Sequence, residues 1–272
     1  YLSKLTQHVD IWTVIASASN PNLPISSIEA LSKHEDEKVR SAVASNPSAP
    51  WALLEFLSKD EVDIREKVAS NPNTRIDVLE KLAKDKYNNQ LLQSPYRNPH
   101  RVRAGVASNP STPDALLAIL QKDPESPTRL AVARNQSTSK ELLAELSKED
   151  YSENHFIVRA VLDHPNTPAE IRDSLIDQLV KREDAVDDLA GCERTPIDLL
   201  ETLYKKYSGE KPEDDFLKVT STRYKVLLAL SQNPSTPPEI LAKLATDRDT
   251  DFREAVATNS SATAETLLAL SN

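Results

Sequence analysis

Five histidines, one cysteine and a recurring arginine are the side chains in this 272-residue chain with the most scope for chemistry beyond packing. His8, His34, His100, His155 and His164 are scattered, no two at a metal-ligand spacing, and Cys192 stands alone. Gly105, Gly191 and Gly209 are too dispersed to build a phosphate-cradling loop. Neither a catalytic residue, a metal centre nor a cofactor site is therefore expected, and the chain reads as a non-enzyme. The arginines are more suggestive. Arg40, Arg65, Arg103 and Arg129 recur at one position of a repeated pattern, with Arg253 near the end. Stacked, they would form a row of guanidinium groups able to hold an acidic partner. Acids precede them, Glu35, Asp36 and Glu37 before Arg40 and Asp60, Glu61 and Asp63 before Arg65, so an inter-repeat ion-pair ladder is the simpler expectation.

What must position these residues is a repeat. Residues 42–57 read AVASNPSAPWALLEFL, residues 105–120 GVASNPSTPDALLAIL and residues 229–244 ALSQNPSTPPEILAKL. Aligning on the central proline slot gives Pro21, Pro47, Pro72, Pro110, Gln136, Pro165, Glu193, Pro234 and Ser260, nine units of about 25 residues. The opening Leu2-Ser3-Lys4-Leu5 matches the second half of a unit, so the chain is expected to begin inside an earlier repeat. Each unit reads as two short helices. Val39, Ala42 and Val43, or Val102, Gly105 and Val106, mark an apolar stripe that ends before Asn-Pro, and proline pushes the asparagine out of the α region. The second helix is expected to be capped by Thr112, Thr138, Thr167, Thr195 or Thr236. Proline fills the first helical position after four of them, and Glu141, Glu170 and Glu239 complete capping boxes. Helices of about eight residues do not persist alone in water, so they must stack. The fold class is all-α, with Val106 and Leu117 in the core and the asparagine row, Asn46, Asn71 and Asn109 among its members, satisfying backbone groups where helices end.

On these phrases the units resemble leucine-rich-repeat variant repeats, a bacterial family with a valine-arginine, alanine-x-asparagine-or-histidine-proline, threonine-proline, leucine-leucine consensus. The resemblance covers nearly the whole chain. It implies alternating α- and 3₁₀-helices wound into a right-handed solenoid, a cousin of HEAT and armadillo arrays, as a single repeat domain over residues 1–272. Some family members add a cysteine-rich iron-sulfur module, which Cys192 alone cannot supply.

Two breaks in the period stand out. Residues 86–101, KYNNQLLQSPYRNPHR, are aromatic and basic, whereas residues 206–224, KYSGEKPEDDFLKVTSTRY, are aromatic and acidic. Both leave after the second helix of their unit, which places them on one edge of a stack, and a smaller excursion at Tyr151–Phe156 leaves there too. Tyr87, Tyr96, Arg97, Arg101, Tyr207, Phe216 and Tyr224 are the candidate partner-binding residues, because tyrosine and arginine are favoured at binding hot spots. The expected function is a macromolecular scaffold that binds a protein through its concave face and inserted edge loops. A nucleic-acid-binding HEAT-like module, using the arginine row with Arg97, Arg101 and Arg103, is the alternative. Charge argues against it: the net charge is −9, and residues 137–272 carry 16 Lys+Arg against 26 Asp+Glu. No apolar run is long enough for a membrane span, and a single cysteine suits a cytoplasmic setting.

Overall fold

A computed structural model of the chain describes residues 10–85, 100–209 and 221–271. Among these residues every element is an α-helix and there is no strand. The helices alternate in pairs. The first members are α1 (Ile11–Ala18), α3 (Glu37–Ser45), α5 (Val62–Ser70), α7 (His100–Ser108), α9 (Ser126–Arg134), α11 (Tyr151–Asp163), α13 (Val186–Gly191), α15 (Thr222–Gln232) and α17 (Thr250–Thr258). Their partners are α2 (Ile25–Leu31), α4 (Trp51–Leu57), α6 (Ile76–Leu82), α8 (Asp114–Leu120), α10 (Lys140–Leu146), α12 (Ala169–Leu179), α14 (Ile197–Ser208), α16 (Pro238–Leu244) and α18 (Ala264–Leu270). The architecture is the expected all-α, solenoid-like repeat, but both helices of each pair are α-helical, where the family resemblance implied a 3₁₀ partner.

The chain divides into two compact units, residues 1–160 and 161–272. In the first, α1, α3, α5, α7 and α9 stack on one another, and the second helices lean against neighbouring first helices. In the second, α13, α15 and α17 stack in the same manner. Val106 and Leu117 are fully buried, as the stripes required. Gly105 allows an unusually close stack: a Cβ there would lie 2.9 Å from Ser70 Oγ and 3.0 Å from Ala69 Cβ.

Two rows of polar side chains tie successive repeats. The asparagines that end α3, α5, α9, α15 and α17 have extended backbones, as at Asn46 with φ −69° and ψ 121°. Asn71 Nδ2 donates to the carbonyls of Ala44 at 2.8 Å and Asn46 at 2.9 Å in the preceding repeat, while its Oδ1 accepts from Asn73 N. Asn109 repeats this to Ala69 and Asn71, both at 2.7 Å, so the row passes without a break from Asn71 to Asn109. In the second unit Asn233 bonds Ala190 O and Cys192 O, and Asn259 bonds Ser231 O and Asn233 O. One planar amide thereby closes three of the backbone groups that a helix end leaves open.

The threonines do something other than expected. Thr112 Oγ1 donates back to Val106 O at 2.5 Å, and Thr74, Thr138, Thr167, Thr195 and Thr236 make the same bond to the carbonyl six residues earlier. They close the preceding helix instead of capping the following one. Pro113, Pro168, Pro196 and Pro237 themselves occupy the N-cap position, and the expected capping boxes with Glu141, Glu170 and Glu239 do not form. Thr263, standing where those prolines stand, is a true cap and accepts from Thr266 N.

Candidate functional site

The arginine row is a continuous zipper in the first unit. Arg40 grips Asp60 through Nε at 2.7 Å and Nη2 at 3.0 Å, and Arg65 reaches Asp85 while its Nη1 donates to Asp60 O at 2.7 Å. Arg103 holds Asp123 in a two-pronged pair and donates to Asp85 O, and Arg129 holds Glu149 and donates to Asp123 O. Each acid thus serves one arginine by its carboxylate, and the first three serve the next arginine by their carbonyls or those close by. These guanidinium groups are mostly covered, and Asp123 is only 5% exposed. The pairing pulls the Asp60 carboxyl below its ordinary pKa despite the opposing effect of burial. Arg253 instead donates to Asp247 O and Arg248 O.

Where the sequence pattern departs, local substitutes appear. His164, in an asparagine slot, is 4% exposed and accepts from Asn166 N through Nδ1, as asparagine Oδ1 does elsewhere. Cys192 fills the same slot. Its carbonyl keeps the rung to Asn233, while burial, and then the neighbouring Asp163, push its thiol pKa up to about 12. A thiol held neutral and buried is a packing group, not a nucleophile. Among the described residues no cluster of three His, Cys, Asp or Glu side chains could hold a metal ion, and no helix is long and apolar enough to cross a membrane.

Of the seven residues singled out as partner-binding, Arg101, Tyr207 and Tyr224 are described. Tyr87, Tyr96, Arg97 and Phe216 lie outside the described residues. Tyr207 is 3% exposed and belongs to the core, because α14 runs on to Ser208 and carries it inward at helical spacing from Leu200 and Leu203. Tyr224 lies on the first turns of α15, where its hydroxyl donates to Asp251 at 2.6 Å and its ring packs on Phe252. That bond to a carboxylate, followed by burial, raises the tyrosine pKa to about 12. Arg101 sits on α7 and pairs with Asp63 at 2.7 Å and with Glu66 on α5. The two irregular segments are consequently shorter than expected: residues 100–101, 206–208 and 222–224 are helix. Tyr151–Phe156 is likewise the start of α11, bent at Asn154 with φ −132° and ψ 37°.

The sequence reading missed a row of exposed apolar residues. Ile25, Trp51 and Ile76 open α2, α4 and α6 and are 57%, 50% and 49% exposed. The turns that precede them are stacked: Asn46 Nδ2 bonds Asn20 O and Asn71 Nδ2 bonds Asn46 O, while Ser48 and Asn73 bond Pro21 O and Pro47 O. The three side chains therefore stand in file. The Arg75 guanidinium lies 4.8 Å from the Trp51 ring centroid. The same slot holds Asp114 in α8 and Lys140 in α10, so packing does not demand an apolar residue there. Comparing that first-residue slot across units, which the alignment already permitted, was the signal that could have found the row.

No family profile matches the chain, and no curated protein matches it. Among solved structures, one titled an engineered protein aligns over 98% of this chain and 90% of its own at 17% identity, with a TM-score of 0.32. That likeness is too loose to carry an argument about either fold or function.

Proposed function

We propose that the chain is a non-enzymatic repeat array of the leucine-rich-repeat-variant kind that binds another protein. The observation that carries this reading is the file of Ile25, Trp51 and Ile76, large apolar side chains about half exposed at a position that elsewhere takes Asp114 or Lys140. Aligned exposed apolar groups with a tryptophan at the centre are what protein contacts bury first. Arg75 over Trp51 adds a cationic rim. The nucleic-acid reading loses its main support, since Arg40, Arg65, Arg103 and Arg129 are committed to carboxylates and Arg101 pairs with Asp63 and Glu66.

Trp12 and Trp51 are the only tryptophans and both are exposed, so intrinsic fluorescence is a built-in reporter. Affinity capture with the full chain from its native lysate supplies a partner, which is then purified and titrated. A blue shift of emission on binding, with Trp51→Ala plus Ile76→Ser weakening affinity about tenfold or more, supports the reading. Unchanged affinity in that double variant refutes it.

A further inference from the structure

In the second unit, α14 and α16 flank an open cleft of about 600 Å³. The two helices leave stacked turns, since Asn233 Nδ2 bonds Cys192 O at 2.8 Å and Ser235 Oγ bonds Glu193 O at 2.6 Å. Thr195 and Thr236 return to their own first helices in the same way, so α14 and α16 run in one direction from Pro196 and Pro237. At about 1.5 Å rise per residue, the charged residues lining the cleft follow one another along it as Glu239, Glu201, Lys243 and Lys205. By the same rise the two glutamates stand on average about 6 Å before the two lysines along the cleft, with Glu201 and Lys243 nearly level across it. The half-buried Tyr204 and the buried Ile240 also line the cleft, with Lys243 Nζ 5.6 Å from the Tyr204 ring centroid. All four charged residues are exposed, and none forms an ion pair among the described residues.

We propose that this cleft binds an extended peptide segment carrying one basic and one acidic side chain two residues apart. In an extended chain, residues i and i+2 face the same way and stand about 6.6 Å apart, which matches the average offset between the glutamates and the lysines. The ligand's cation lies between Glu239 and Glu201, its carboxylate between Lys243 and Lys205, and its intervening backbone crosses Tyr204 and Ile240. A uniformly charged segment meets one complementary pair and one repelling pair, and a singly charged one leaves one pair unmatched. The inference rests on the protein-binding reading and names the chemistry of one contact within it. Its competitor is the plain one that Glu201 with Lys205, and Glu239 with Lys243, only support their own helices as i, i+4 pairs.

The test is fluorescence anisotropy at low salt with the full chain and end-blocked, labelled peptides Gly-Lys-Ala-Glu-Gly and Gly-Ala-Lys-Glu-Gly. The first places both charges on one face and the second on opposite faces. The first is expected to bind about tenfold or more tightly than the second, and to lose about tenfold in Glu201→Lys plus Glu239→Lys and likewise in Lys205→Glu plus Lys243→Glu. Circular dichroism confirms that both variants stay folded. Equal binding of the two peptides, binding indifferent to both variants, or no binding of either peptide overturns the inference. If the cleft fails while capture of a partner still depends on Trp51, the array reading stands without it. If Trp51-dependent capture fails while the spaced peptide binds, the cleft stands and the apolar file does not.

Discussion

Removing the Asn109 amide tests whether the asparagine row holds the stack. The residue is fully buried, and its Nδ2 donates to Ala69 O and Asn71 O at 2.7 Å while its Oδ1 accepts from Ser111 N at 2.9 Å. Asn109→Ala deletes three hydrogen bonds, each contributing about 0.5–1.5 kcal/mol net, and strands two buried carbonyls that cost more if water does not reach them. The expected loss is about 3–5 kcal/mol. Asn109→Asp isolates the polar part, because it keeps the shape but replaces two donors by a carboxylate oxygen facing two carbonyls. At neutral pH it should cost at least as much as alanine, and acidification should return one donor and part of the stability. Asn20→Ala is the control: this residue is exposed and its side chain makes one bond, to Asn22 N, so the loss should stay below about 1 kcal/mol. Urea unfolding followed by tryptophan emission is the assay, since both tryptophans share a unit with Asn109. A loss below about 0.5 kcal/mol for Asn109→Ala, with an unchanged urea slope, would show that the row is an accompaniment to packing and not a cause of it.

Arg103→Ala should cost about 2–4 kcal/mol, because Asp123 is then left nearly buried without its guanidinium, whereas a solvated surface pair would lose less than about 1 kcal/mol. The Arg103→Ala, Asp123→Ala double variant should recover part of that loss in the same urea assay. Gly105→Ala should destabilise despite its better helix propensity, since the new Cβ meets Ser70 Oγ and Ala69 Cβ at 3.0 Å or less; adding Ser70→Ala should restore some stability, and a net gain from Gly105→Ala alone would contradict the close stack. Tyr224 should ionise near pH 12 in a spectrophotometric titration, and Asp251→Asn should bring it back toward 10. Its pKa is raised in the fold, so its contribution to stability is whole below the unfolded value and disappears as pH climbs through the folded one. Titration of Tyr224 at the ordinary tyrosine value of 10.0 would break the assignment of its bond to Asp251.

Some of this molecule was legible because the information is periodic. The stripes at Val102 and Val106, the leucine pairs and the asparagine before proline each recur often enough that chance and function are poor explanations, and stacking is the remaining one. The arginine ladder was legible for the same reason, although not its partner: in all four rungs the acceptor lies twenty residues on, Asp60 for Arg40 and Asp85 for Arg65, across the following helix, while the acids that draw the eye lie just before each arginine. The threonine misreading has a physical cause. A hydroxyl before proline satisfies the local rule for an N-cap, but the chain reverses there, and the nearest unfilled group is Val106 O behind Thr112, not an amide ahead of it. Tyr207 was misplaced because the sequence marks the end of a regular seven-residue second helix, while the apolar spacing Leu200, Leu203, Tyr207 continues through that mark. Function was the least legible part for a related reason. A repeat advertises what every unit needs, whereas a binding surface is written in slots the stack leaves free, and such slots emerge only when Ile25, Trp51 and Ile76 are set beside Asp114 and Lys140 and seen to share one position with different burdens.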